Sequence, residues 1–146
     1  MNHYLKKGVK FECQGSSNCC VSRNSYGYVY LSKFDLKRLL KFFKLESDIF
    51  IKKFCSKKNG YLHLKEKDKT GNCIFLNDKK CTIYVSRPEQ CRTWPFWPEN
   101  MNSKTWKNDI VNFCPGIGKG KFFSYDRIKK ILNNDRLNDK KIIKIK

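Results

Sequence analysis

Cys73–Pro98 reads CIFLNDKKCTIYVSRPEQCRTWPFWP, and its punctuation decides what kind of fold the chain can adopt. Cys73 and Cys81 enclose an apolar Ile74-Phe75-Leu76 followed by Asn77-Asp78-Lys79-Lys80. A short apolar run ending in turn-forming residues predicts a hairpin-like loop able to carry both sulfurs to one side. Arg87-Pro88 then predicts a turn that opens a short helix bearing Cys91, because proline is tolerated at a helix start. A stretch so interrupted builds irregular cysteine-bearing loops rather than long regular elements.

Outward from it, Cys114 follows on the C-terminal side, ahead of a glycine-rich turn at Pro115-Gly116-Ile117-Gly118. On the N-terminal side, FECQGSSNCC places Cys13, Cys19 and Cys20 in a segment whose Gly15, Ser16, Ser17 and Asn18 predict a loop. The regular part lies between the two cysteine groups. Tyr28 to Leu31 suggests a short strand. Ser32 with Asp35 three residues on reads as a capping box opening a helix through about Lys44, with Leu36, Leu39, Leu40 and Phe43 at helical spacing. Ser47 is expected to cap a second short helix containing Ile49, Phe50, Ile51 and Phe54. Asn59-Gly60 is a turn, and Tyr61, Leu62 and Leu64 suggest a strand. Ser124 is expected to cap a last helix with Ile128, Ile131 and Leu132 on its buried face, within a C-terminal helix and basic tail spanning about 124–146. Its final KKIIKIK is free to fray.

With no internal repeat and 146 residues, the expectation is one domain over 1–146, small and α+β, with a few helices, short strands and irregular cysteine-rich metal-binding loops. A chain of this length buries roughly two-thirds of its unfolded surface and needs no metal merely to fold. The cysteines therefore require a separate explanation.

The start MNHYLKKGVKFEC has no apolar core of a secretory signal, and no run approaches the ~18 apolar residues of a membrane span. The expected location is the cytoplasm. In that reducing compartment, eight closely grouped cysteines point to metal binding or catalysis rather than four disulfides. The net charge of +19 would ordinarily suggest nucleic acid. Only six of the 32 basic residues are arginine, alanine is absent, and Lys, Asn and Ile are abundant. That is the residue profile of an AT-rich genome, so nucleic-acid binding is expected to be non-specific.

Thiolates are strong ligands for zinc and for iron–sulfur clusters, each of which usually takes four protein ligands. Seven cysteines exceed one such centre, leaving open one four-thiolate site with spares or a larger site. The adjacent Cys19-Cys20 cannot readily pair with each other, since neighbouring side chains diverge; this slightly favours a polynuclear centre. No CxxC occurs, which disfavours a zinc ribbon or a thioredoxin-type pair. Cys55, inside helical apolar periodicity, reads as a small buried hydrophobe. His3 and His63 lack ligand spacing. Arg87 and Arg92 are candidates to surround the site, Arg92 through thiolate charge or backbone carbonyls. Trp94, Phe96 and Trp97 read as a dry wall.

The run Cys73, Phe75-Leu76, Cys81, Ile83-Tyr84, Arg87-Pro88, Cys91-Arg92 and Trp94-Pro95 resembles the signature of the YkgJ family, cysteine-cluster proteins with a zinc- or iron-chelating domain of the CxxCxxCC type. The likeness covers about 11–116. In the first half the chain departs, carrying Ser16 and Ser17 where another thiol is expected. The resemblance implies a metal ligand set of Cys13, Cys19, Cys20, Cys73, Cys81, Cys91 and Cys114, with Arg87, Arg92 and Trp94 around it, and zinc or an iron–sulfur cluster as cofactor. Some proteins with such a domain are linked to lysine methylation of flagellin, which implies an alternative role as an accessory or catalytic part of a protein-modifying enzyme. No catalytic residue is identified, and Gly116-x-Gly118-x-Gly120 follows no clear strand, so it is a weak cofactor motif. A zinc-dependent nucleic-acid-binding protein and a partner protein complete the alternatives.

Overall fold

Ser32 accepts the amide of Asp35 at 3.1 Å while Asp35 accepts that of Ser32 at 3.0 Å. This reciprocal box satisfies two amides that a helix start leaves without partners, and α1 runs from it over Lys33–Phe43. In the computed structural model, residues 3–13, 28–57, 60–67, 72–78 and 80–145 are described. Lys44 closes α1 in the left-handed region, and α2 follows at Ser47–Phe54. Ser47 does not cap α2. It is the first helical residue, and Glu46 occupies the cap without a side-chain bond.

Leu39 and Phe50, from the apolar faces of α1 and α2, are fully buried and pack with Leu31, Leu62, Leu64, Phe75 and Ile83 in a first core. Each fully buried side chain of this size contributes about 1.5–3 kcal/mol. Under the helices lies a patch of extended chain. β2 (Cys55–Ser56) pairs antiparallel with β3 (His63–Leu64), and Tyr30 bridges His63 from the other side.

The C-terminal tail completes this patch instead of fraying. Ile143 donates to Leu31 O at 3.0 Å, Leu62 donates to Ile143 O at 2.9 Å, and Ile145 donates to Gly60 O at 2.8 Å. Ile143 and Ile145 pack against the first core, which gives the lysine-rich tail an apolar reason to stay docked.

A second core forms from Leu5, Phe96, Met101, Trp106, Ile110, Ile128 and Leu132. It joins the N-terminal segment to a helical stretch made of α4 (Ser103–Thr105), a π-helical turn at Trp106–Ile110 and α5 (Val111–Phe113). The last helix, α6 (Tyr125–Asp139), begins at Ser124, whose hydroxyl accepts from the Arg127 amide at 3.2 Å. It buries Ile128 and Leu132 as its periodicity predicts, with Ile131 packed beside them. Closing this side, β1 (Val9–Phe11) pairs antiparallel with β6 (Lys121–Phe123), a contact between sequence-distant segments that no local pattern signals. The fold is a small α+β domain, as expected. Among the described residues no helix is long and apolar enough to cross a membrane.

Candidate metal centre

The CIFLNDKKC segment folds as its turn chemistry predicts. β4 (Leu76–Asn77) pairs with β5 (Lys80–Cys81), with Leu76 opposite Cys81. Asp78 takes a positive φ of 48° at the tip, a conformation that Asp and Asn reach more readily than most residues. Cys73 bridges Glu66, and its carbonyl accepts from Leu76 at 2.9 Å. Cys81 thus stands in the hairpin, and Cys73 one tight turn before it, on the bridge to Glu66.

Pro88 caps the short α3 (Glu89–Thr93), and the Cys91 amide donates to Pro88 O at 2.9 Å. The predicted proline-started helix is there. Cys73, Cys81 and Cys91 are half-buried and pack against the first core. Asp35 fixes α3 relative to α1, since it is fully buried and its Oδ1 accepts the Glu89 amide at 2.9 Å and Arg38 Nη2 at 2.8 Å.

On the other side, Cys114 is buried at the end of α5. The Glu12 amide donates to Gly116 O at 3.1 Å, and Phe11 bridges Ile117. Gly116 is required there, because a Cβ would collide with Glu12 O. This crossing sets the exposed Cys13 beside the segment that carries Cys114. Gly118 is likewise spent on the fold, its amide donating to Lys10 O at 2.7 Å.

Cys19 and Cys20 lie outside the described residues. The chain is described again from Tyr28, and there Gln90 holds it. Gln90 Nε2 donates to Tyr28 O at 2.9 Å, and Gln90 Oε1 accepts from the Tyr30 amide at 3.1 Å. The described chain thus stops at Cys13, beside the segment that carries Cys114, and is described again from Tyr28, held by the residue before Cys91. Sequence reasoning passed over Gln90 and the second task of Asp35. Gln90 sits inside the RPEQC run, its proximity to Cys91 being the signal available.

Arg92 resolves to backbone carbonyls: Nε donates to Arg87 O at 2.9 Å and Nη2 to Val85 O at 3.1 Å. Arg87 donates from Nε to Tyr84 O at 3.0 Å. Neither forms an ion pair with a carboxylate among the described residues. Trp94 meets Trp97 and Phe113 edge-on at 4.8 and 5.8 Å, while Phe96 is buried in the second core against Phe11, Trp106 and Phe123.

Cys55 stands outside the group. It begins β2 just past α2, is 5% exposed, and burial pushes its thiol up to about 12. His63 is buried against Tyr28, which stacks on it at 4.2 Å, and its Nδ1 pairs with Leu64 O at 3.0 Å. Since a carbonyl only accepts, Nδ1 carries the proton; Nε2 is buried with no hydrogen-bond partner. Among the described residues no three His, Cys, Asp or Glu side chains lie close enough together to hold an ion.

Residues 12–115 match the family model CxxCxxCC, described as "Putative zinc- or iron-chelating domain". An uncharacterized protein of Methanocaldococcus jannaschii, MJ0661, is 33% identical over 130 residues, which span 81% of this chain and 67% of that protein. No solved structure matches the chain.

Proposed function

The chain belongs to the CxxCxxCC family of zinc- or iron-chelating type, and from that premise we propose that it coordinates zinc or an iron or iron–sulfur centre through clustered cysteines. The ligands are drawn from Cys73, Cys81 and Cys91 on one side, Cys13 and Cys114 on the other, and Cys19 and Cys20 from the segment between. The supporting observation is the pair of tethers on that segment: Glu12 to Gly116 at its entry and Gln90 to Tyr28 and Tyr30 at its exit. These tethers place Cys13 beside the segment that carries Cys114, and Tyr28 and Tyr30 beside the residue before Cys91.

The donor set fits the group by its chemistry, since thiolates select zinc and iron–sulfur centres over hard cations such as magnesium. Four thiolates on a divalent ion leave a net negative site. Arg87, between Cys81 and Cys91, and Arg92, the residue after Cys91, have no carboxylate partners among the described residues and supply charge of the opposite sign. Trp94 adds apolar cover beside them.

The deciding experiment is anaerobic purification with measurement of metal and acid-labile sulfide. A stoichiometric metal is expected. Sulfide with a visible chromophore assigns an iron–sulfur cluster, metal without sulfide assigns zinc or mononuclear iron, and the absence of any stoichiometric metal refutes the proposal.

A further inference from the structure

Between Cys81 and Cys91 the chain makes a single 3-10 turn, Tyr84–Ser86, whose outer side is both apolar and cationic. Val85 is 76% and Tyr84 51% exposed. Exposed hydrophobes of this kind mean little when scattered singly. Here they cap a turn whose carbonyls are held by arginine side chains. Tyr84 O accepts from Arg87, Val85 O accepts from Arg92, and Arg87 O accepts from both Arg92 and Arg38 at 2.9 Å.

Three of the chain's six arginines are therefore committed to one turn. The charge of Arg38 is answered by Asp35. Those of Arg87 and Arg92 are not answered by any described carboxylate, and both Nη groups of Arg87 and Nη1 of Arg92 make no hydrogen bond within the described structure. The Arg87 guanidinium is also stacked over the Tyr84 ring at 3.8 Å, which aligns the planar cation with the exposed aromatic.

We propose that this turn is a docking knuckle for an acidic segment of a partner protein. Its carboxylates pair with the outward edges of Arg87 and Arg92, and an adjacent apolar side chain covers Val85 and Tyr84. The guanidinium fork matches a carboxylate bidentately, and rigid Tyr and Arg side chains around an apolar centre are the composition of interface hot spots. A nucleic-acid backbone is the weaker fit. Its phosphates suit the guanidinium fork as carboxylates do, but the sugar-phosphate backbone leaves the exposed Val85 without an apolar counterpart. The turn is held by arginines and carbonyls rather than by thiolates, while the charges of Arg87 and Arg92 are shared with the proposed metal centre.

Backbone-amide NMR of the full chain, titrated in turn with three probes, tests it. The probes are a blocked peptide alternating glutamate and leucine, an equally charged all-glutamate peptide, and a single-stranded DNA oligomer. The alternating peptide is expected to bind tightest, with shifts concentrated at 84–87 and 92. Arg87→Gln and Val85→Asp should each weaken it about tenfold, corresponding to the loss of one hot-spot contact. Arg136→Gln, which removes the same charge from exposed α6, should change it less than about twofold. No binding, shifts spread over the lysines, or equal losses from Arg87→Gln and Arg136→Gln would overturn the proposal. DNA binding tighter than the alternating peptide and lost in Arg87→Gln would replace it with a nucleic-acid site. Unchanged amide spectra away from the turn verify that each variant is folded.

Discussion

Gln90 and Tyr30 share a hydrogen bond of 3.1 Å across sixty residues of sequence, and the same side chain returns its amide to Tyr28. A glutamine that pairs with both a donor and an acceptor of extended chain imitates a neighbouring strand. It thereby fixes the Tyr28–Tyr30 stretch against the residue that precedes Cys91. Gln90→Ala removes both bonds at a part-buried position, and the expected loss is about 1–3 kcal/mol from leaving backbone groups without partners. Urea denaturation of metal-free protein measures it. Cobalt titration of the same variant should also show weaker binding, and an affinity equal to that of the unsubstituted protein would separate the clamp from the centre.

Asp35 carries more of the fold than its place in a capping box suggests. Besides the Ser32 amide it accepts from Arg38 and from the Glu89 amide of α3, and it is fully buried. Asp35→Ala strands two amides and the inner face of a guanidinium, with an expected cost of about 2–4 kcal/mol. Asp35→Asn keeps one acceptor oxygen and should fall between. Chemical denaturation read by far-ultraviolet circular dichroism distinguishes them, and a cost for Asp35→Ala below about 1 kcal/mol, that of an ordinary cap, would refute the cross-link to α3.

What the sequence revealed about this fold follows the range of the interactions. The capping box of α1, the face of α6 and the CIFLNDKKC hairpin are set by residues within a few positions of one another, and all three were legible. The cap of α2 was misplaced by one residue because Glu46 holds it without a side-chain bond. The docking of Ile143 between Leu31 and Leu62 and the pairing of Val9–Phe11 with Lys121–Phe123 join distant segments, and no local period encodes them. At the candidate site, residue type made the cysteines conspicuous. The roles of Gln90 and Asp35 were hidden because an ordinary glutamine or aspartate acquires them only when two segments meet.

Cys55 should behave differently from the other cysteines. Burial, opposed in part by Lys65 and Lys57, pushes its thiol up to about 12, so almost no thiolate exists near neutral pH, and the thiolate is the ligand and nucleophile. Cys55→Ala should leave metal stoichiometry unchanged, whereas Cys81→Ser or Cys91→Ser should lower it. In folded, metal-free protein treated with iodoacetamide, mass spectrometry is expected to find the exposed Cys13 modified well before Cys55. Equal labelling of the two would contradict the packing of Cys55 in the first core.

Asp135 gives the domain a pH dependence of defined sign. Burial raises its carboxyl to about 6, the Thr93 hydrogen bond of 2.9 Å opposes that rise, and Glu99, Asp139 and Glu89 add to it. Folded protein therefore binds this proton more tightly than unfolded protein does, where the value is 3.8. Between those values the native state carries more of the proton, so stability contributed by this group is present at the acidic end and is lost as pH rises through about 6. Asp135 is only half-buried, and solvent screening cuts the effect to about 1 kcal/mol. Asp135→Asn retains an acceptor for Thr93, which itself accepts from Trp97 Nε1 at 2.9 Å, and removes the charge. Metal-free protein unfolded by urea at pH 4.5 and pH 7.5 should show the variant gaining on the parent only at the higher pH. A larger gain at the lower pH would reverse the sign and place Asp135 among ordinary stabilising carboxylates.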